Sequence, residues 1–122
     1  MKVRCIQLFD SAGKPRLQKD SWVTLGKTYH VLEIVQDQSR WLLRLIGDNE
    51  LNGPAVFRLE QFEIVTPNIP SSWIVTRDKD DSIKLRPERW NQPGFWERYY
   101  DKDPEAIRIF EEERRKIIEN DP

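Results

Sequence analysis

The side chains able to do chemistry in this 122-residue chain are few and scattered. Its one histidine, His30, sits in TYHVLEIV between apolar neighbours, and its one cysteine, Cys5, sits in the apolar run VRCIQLF. A nucleophilic pair needs a base within hydrogen-bond reach of the thiol and a third group to orient that base. Cys5 and His30 could meet across adjacent strands, but nothing in the sequence orients them. A buried thiol and a structural histidine are the plainer readings. A single Cys and a single His cannot assemble a zinc cluster or an internal disulfide. The five glycines stand singly, so no glycine-rich loop is available to cradle a phosphate.

Carboxylates are more abundant. RDKDD at 77–81 gathers Asp78, Asp80 and Asp81, and GDNELN at 47–52 brings Asp48 near Glu50. The 77–81 spacing does not fit a helix-flanked calcium loop. It reads first as a solvated hairpin tip and second as an acidic knob for a partner. The Asp-Asn and Asn-Gly elements around 47–54 serve turns without further function. Arg40, Trp41 and Arg44 set two guanidiniums beside one ring, an arrangement that small barrels use against nucleic acid. The charge balance argues the other way. Charged residues make up 34% of the chain, yet the net charge is only -1, whereas dedicated nucleic-acid binders carry a basic excess or stripe. No cofactor or metal site is expected.

The most aromatic stretch is WNQPGFWERYYDKDPEA at 90–106. On a helix, Phe95 would lie over Tyr99 and Trp96 over Tyr100, with Trp73 and Trp90 as the surface they meet. Such rings either fasten a helical tail to a core or, through Tyr99 and Tyr100, touch a partner, since Tyr and Trp dominate interface hot spots.

The elements that must position these groups are mostly strands. Short apolar or alternating runs at 3–9, 23–36 (broken at Gly26), 40–46, 55–57 and 62–65 are separated by turn-rich segments, the longest being the loop at 10–21. RLEQ at 58–61 predicts a single helical turn. WIVT and SIKL flank the polar RDKDD as a hairpin. In the last segment Asp103 is a good N-cap, Pro104 suits the first helical position and Glu105 complements the helix dipole. Ala106, Ile107, Ile109, Phe110 and Ile117 share one apolar side. Glu111–Arg115 and Glu112–Lys116 are spaced as ion pairs on the other. The predicted fold is mainly β: a small antiparallel barrel over 1–66, then a hairpin, an aromatic linker and an amphipathic helix over 67–122, packed as one domain. The apolar helix face docks internally or pairs with another chain.

The segment LGKTYHVLEIVQDQSRWLLRLIGDNELNGPAVFRLEQFEIV resembles the SH3-like barrel in its rhythm, with Trp41 starting the strand after the short loop. Only Trp41 matches the groove of peptide-binding SH3 domains; the loop at 10–21 is mixed in charge, and RLEQF stands where a proline and a tyrosine are expected. The tail PGFWERYYDKDPEAIRIFEEE and the junction FEIVTPNIPSSWIV are similar to segments of bacterial immunity proteins from toxin systems, including contact-dependent growth inhibition. That resemblance implies a non-enzymatic, cytoplasmic protein that binds one cognate toxin, and it carries over no functional residue. If the toxin is a nuclease, Asp48, Glu50, Asp78, Asp80 and Asp81 are expected to face its basic site. The alternative is a small nucleic-acid-binding or regulatory barrel, and a carboxylate-based hydrolase is a third reading. The N-terminal MKVRCIQLF lacks the apolar stretch of a signal peptide, and no run approaches the ~20 residues of a membrane helix.

Overall fold

A computed structural model describes residues 1–10, 12–18 and 21–122; Ser11, Lys19 and Asp20, in the loop expected at 10–21, lie outside it. Strand β1 (Lys2–Cys5) is flanked by β2 (Thr28–His30) and β6 (Phe62–Thr66), antiparallel on both sides. This sheet has three strands in the order β2-β1-β6. A second sheet of five strands runs β5-β4-β3-β8-β7, with β3 at Glu33–Asp37, β4 at Arg40–Ile46, β5 at Pro54–Arg58, β7 at Trp73–Arg77 and β8 at Ile83–Pro87.

One run of sequence links the two sheets. TYHVLEIVQ does not form a single straight strand: it bends at Val31 and Leu32, both buried. The Val31 N–H donates to the Met1 carbonyl at 3.0 Å, while the Leu32 N–H donates to the Arg44 carbonyl at 2.8 Å. β2 thus pairs in one sheet and β3 in the other. The apolar residues on both faces of this run have core to meet on either side.

The first strand is shorter than the predicted 3–9. After Cys5 the chain leaves the sheet, and the Ile6 and Gln7 N–H groups turn to the Gln61 carbonyl. The predicted turn after β5 is a 3-10 turn over Leu59–Gln61. The 73–87 hairpin continues the larger sheet, because β8 pairs with the edge of β3 that β1 leaves vacant.

Two helices follow, α1 (Phe95–Tyr100) and α2 (Pro104–Asn120). The Asp103 carboxylate accepts the Glu105 N–H, with Pro104 at the first helical position as its fixed φ favours. α2 buries Ala106, Ile109, Phe110 and Ile117, and also Glu113. The expected pairs Glu111–Arg115 and Glu112–Lys116 are not the ones formed. Glu111 lies 3.6 Å from Arg114, Glu112 is 2.8 Å from Arg108 and 2.7 Å from Arg89, and Lys116 is 3.3 Å from Glu113. Arg89 reaches α2 from the preceding turn and takes Glu112 out of the i,i+4 scheme.

The aromatic segment is largely interior. Trp90 stacks on Phe110 at 5.4 Å and on Phe95 at 6.2 Å, and meets Trp96 edge-on at 5.3 Å. Trp90, Phe95 and Phe110 are buried, and each large ring so placed is worth roughly 1.5–3 kcal/mol. Trp96 touches both Tyr99 and Tyr100, whereas Phe95 does not stack on Tyr99: Phe95 meets Trp90 and Trp96, and Tyr99 meets Phe110 across the helix pair. Trp73 is buried but makes no aromatic contact among the described residues. No helix of the described residues is long and apolar enough to cross a membrane.

Candidate functional site

Asp48 is tied to the long loop before β2. Its Oδ2 accepts the Thr24 hydroxyl at 2.6 Å, and its Oδ1 accepts the Tyr29 hydroxyl at 2.7 Å and Lys27 Nζ at 2.8 Å. Burial alone would raise this carboxyl, but the hydrogen bonds from Lys27, Thr24 and Tyr29 outweigh it and hold the group below the ordinary carboxylate range. Tyr29 moves the other way. Burial, and the neighbouring Asp48 charge after it, push the phenol up to about 12. Asp48 is therefore a structural clasp. Glu50, in contrast, is mostly exposed at the edge of its loop, 3.0 Å from Arg114 of α2.

The hairpin brings Asp78, Asp80 and Asp81 to one tip. Asp78 pairs with Lys84. Asp80 Oδ1 accepts both the hydroxyl and the N–H of Ser82, which hold its carboxyl low. Asp81, at φ 68°, lies 3.1 Å from an equally exposed Arg77. Asp80 and Asp81 remain open to solvent beside the exposed Arg77 and Lys79.

Tyr99 is half-buried against Phe110, and burial raises its phenol. Tyr100 donates to the Pro54 carbonyl and accepts from Arg44 at 3.2 Å. Arg44 itself belongs to an interior network. Its Nε donates to the fully buried Glu33 at 2.7 Å, and its guanidinium lies 4.1 Å from the centre of the Trp96 ring. The patch expected of Arg40, Trp41 and Arg44 does not form. Strand alternation puts Trp41 on the opposite face from both arginines, and Arg44 is enclosed. Cys5 and His30 are not brought together either. The β1–β2 register sets His30 opposite Lys2, while Cys5 lies past the other end of the pairing. Burial raises the Cys5 thiol, and His30 Nε2 sits 2.8 Å from the Asp121 carbonyl.

A cleft of about 540 Å³ opens where the loop before β2 faces β4 and β5. Leu42, Ala55, Val56 and Phe57 supply its apolar lining, and Phe9 and Trp22 come from the loop. Trp22 is 50% exposed, which for so large a ring is a sizeable uncovered surface. Among the described residues three guanidiniums stand at this cleft, those of Arg16, Arg40 and Arg58, against one carboxylate, Asp10, and Arg40 lies 3.5 Å from Asp37. Asp10 turns Oδ1 toward its own loop, accepting the Ala12 and Lys14 N–H groups at 2.9 Å. Arg16 and Arg58 have no carboxylate within ion-pair distance among the described residues.

Two glycines let the loop lie so close. Gly13, at φ 80°, would place a Cβ 2.9 Å from the Arg58 guanidinium, and a Cβ on Gly47 would fall 2.6 Å from the Trp22 carbonyl. None of Arg16, Trp22 and Arg58 stands out in the sequence as a site. The available signal was the solitary Trp22 in a long polar loop, a place where a large ring has little local core to join. No family model, curated protein or solved structure matches the chain.

Proposed function

We propose that this chain is a non-enzymatic binding protein of the immunity type, an SH3-like barrel extended by a hairpin and a helix, that neutralises a cognate bacterial toxin by protein–protein contact. The SH3-like reading is supported by the strand path. β6, β1 and β2 continue through the Val31–Leu32 bend into β3, β4 and β5, and a 3-10 turn separates β5 from β6. The immunity reading is supported by the resemblance of the 62–113 segment.

The observation that carries partner binding is the cleft beside Trp22. A half-exposed tryptophan over an apolar floor, with Arg16 and Arg58 free of a carboxylate partner among the described residues, has the composition of an interface hot spot. Its charge calls for an acidic, partly apolar surface on the toxin. The exposed carboxylates of Asp80 and Asp81 would then meet a basic region elsewhere on the same partner, with Asp78 braced behind them by Lys84. Glu50 is accessible for the same role. Asp48, Tyr99 and Tyr100 act by holding the scaffold.

The test is calorimetric titration with the protein encoded by the adjacent gene. Nanomolar to micromolar binding is expected, with Trp22→Ala and Arg58→Ala each weakening it by roughly tenfold or more. Absence of binding to that protein sinks the immunity reading. Undiminished binding in both variants removes the cleft from it, and undiminished binding when Asp78, Asp80 and Asp81 are changed together removes the hairpin tip.

The same cleft favours one other reading. Arginines beside an exposed ring also suit single-stranded nucleic acid, which stacks bases on aromatics and neutralises phosphates. Titration with single- and double-stranded oligonucleotides at two salt concentrations decides it, because such binding must weaken steeply with salt.

A further inference from the structure

We propose that the free edge of β7 pairs antiparallel with β7 of a second copy of this chain, about a two-fold axis at Val75. β7 is the outermost strand of the larger sheet. The Asp78 N–H donates to the Ser82 carbonyl at 2.9 Å, closing the hairpin with a hydrogen-bonded pair. Alternation along an antiparallel ladder then makes Thr76 opposite Lys84, and Ile74 opposite Arg86, the next bonded pairs. The backbone groups of Trp73, Val75 and Arg77 therefore point to the open side. The Trp73 N–H is met by the Pro70 carbonyl at 3.1 Å, while those of Val75 and Arg77 have no partner among the described residues.

Edge strands are ordinarily protected by bulges, prolines or inward charges. β7 has none of these: its ladder with β8 is regular through all five pairs. Ile74 is 37% exposed and Val75 68%, so apolar side chains stand uncovered on both faces of the strand. The edge of β6 also exposes Ile64 and Val65, but its ladder with β1 carries a register shift, which is such a protection.

The strand's own residues point to a second copy as the occupant. Only a register centred on Val75 pairs every residue of β7 with its symmetry mate. Val75 then faces Val75 of the second copy, Ile74 faces Thr76, and Trp73 faces Arg77. No like charges are opposed, and the two five-stranded sheets become one. A ladder this short buries less than the roughly 1,200 Å² of a stable interface, so the dimer is weak and concentration-dependent.

Sedimentation equilibrium of the full chain from about 1 μM to about 1 mM tests this, a range chosen for an interface below standard size. The mass is expected to rise from 14.6 kDa toward twice that value. Val75→Lys and Val75→Pro should each reduce the dimer-to-monomer ratio about tenfold or more, while Val75→Thr retains it. In the unaltered protein, exchange of the Val75 and Arg77 amides should slow only at high concentration. This readout stands even if a variant misfolds. A monomer throughout the range overturns the proposal. So does a dimer that forms without slowing these amides, which would place the interface elsewhere, on β6, the cleft or an adjoining face.

Discussion

Glu33 and Arg44 face each other across β3 and β4 with the carboxylate wholly inside the protein, its Oε1 accepting Arg44 Nε–H at 2.7 Å. A second guanidinium, from Arg86 of β8, lies 3.5 Å from the other oxygen. Arg44 continues outward to the Trp96 ring and the Tyr100 hydroxyl, and Arg86 Nε donates to Asn91. One buried carboxylate thus links both strands of the bent sheet to the hairpin and to α1. The cost of desolvating these groups is met only while the set is complete.

Glu33→Ala leaves two enclosed guanidiniums without their counter-charge. Removing one partner of a buried pair costs about 3–5 kcal/mol. The urea midpoint should fall accordingly with an unchanged slope, and tryptophan emission should shift because Trp96 loses its ordered neighbour. A change below about 1 kcal/mol would show that the network contributes no more than a surface pair.

Tyr29 and Asp48 set the pH limits of the loop that carries Trp22. The folded-state phenol is raised to about 12 from 10.0, so its stabilising contribution is whole below pH 10 and is lost as the pH rises toward 12. Asp48 is lowered in the folded state, so its contribution is present above the ordinary carboxylate range and is lost as the pH falls through the depressed value. Tyr29→Phe should cost roughly 1–2 kcal/mol at neutral pH, since it strips a partner from Asp48 and from the Thr24 N–H. It should also flatten the loss of stability between pH 10 and 12, measured by denaturation at a series of pH values.

Gly47→Ala tests how the loop is fastened. An added Cβ would lie 2.6 Å from the Trp22 carbonyl, which also accepts the Asp48 N–H at 2.9 Å. The obstacle is backbone and cannot rotate away. The segment bearing Trp22 should lift, costing about 1–3 kcal/mol as an overpacked contact. Trp22 fluorescence should become more accessible to iodide quenching. Unchanged quenching would mean that the loop adjusts without opening the cleft.

The elements were legible where local chemistry specified them. Arg40–Ile46 is an apolar-rich run between two turn segments, Phe62–Thr66 follows a helical turn, and Asp103-Pro104 announces α2. The bend at Val31–Leu32 was not, since it depends on which strands sit to either side. Nor was the placement of β8 beside β3, a contact between residues about fifty apart whose partner no local pattern names. The candidate site was less legible still. Carboxylates such as Asp48 attract attention by type, yet hydrogen bonds from Lys27, Thr24 and Tyr29 already occupy both of its oxygens. The arginines of the cleft gain meaning only when Arg16 and Arg58, far apart in sequence, meet around Trp22.

Trp90→Ala distinguishes a fastening role for the aromatic segment from a partner-binding one. Trp90 is 1% exposed and touches Phe95, Trp96 and Phe110, so truncation should cost about 3–5 kcal/mol and release α1 and α2 together. Asp103→Ala, which removes the cap and a half-exposed ion pair 3.5 Å from Arg98, should cost about 1 kcal/mol and leave the aromatic packing intact. Near-UV circular dichroism separates the two variants, because it reports ring order and not helix content alone. If the segment serves only as a fastening, Asp103→Ala binds the partner as the unaltered protein does, and Trp90→Ala loses affinity only in step with its unfolding. Lost affinity in a Trp90→Phe variant of normal stability would instead place these rings at the interface.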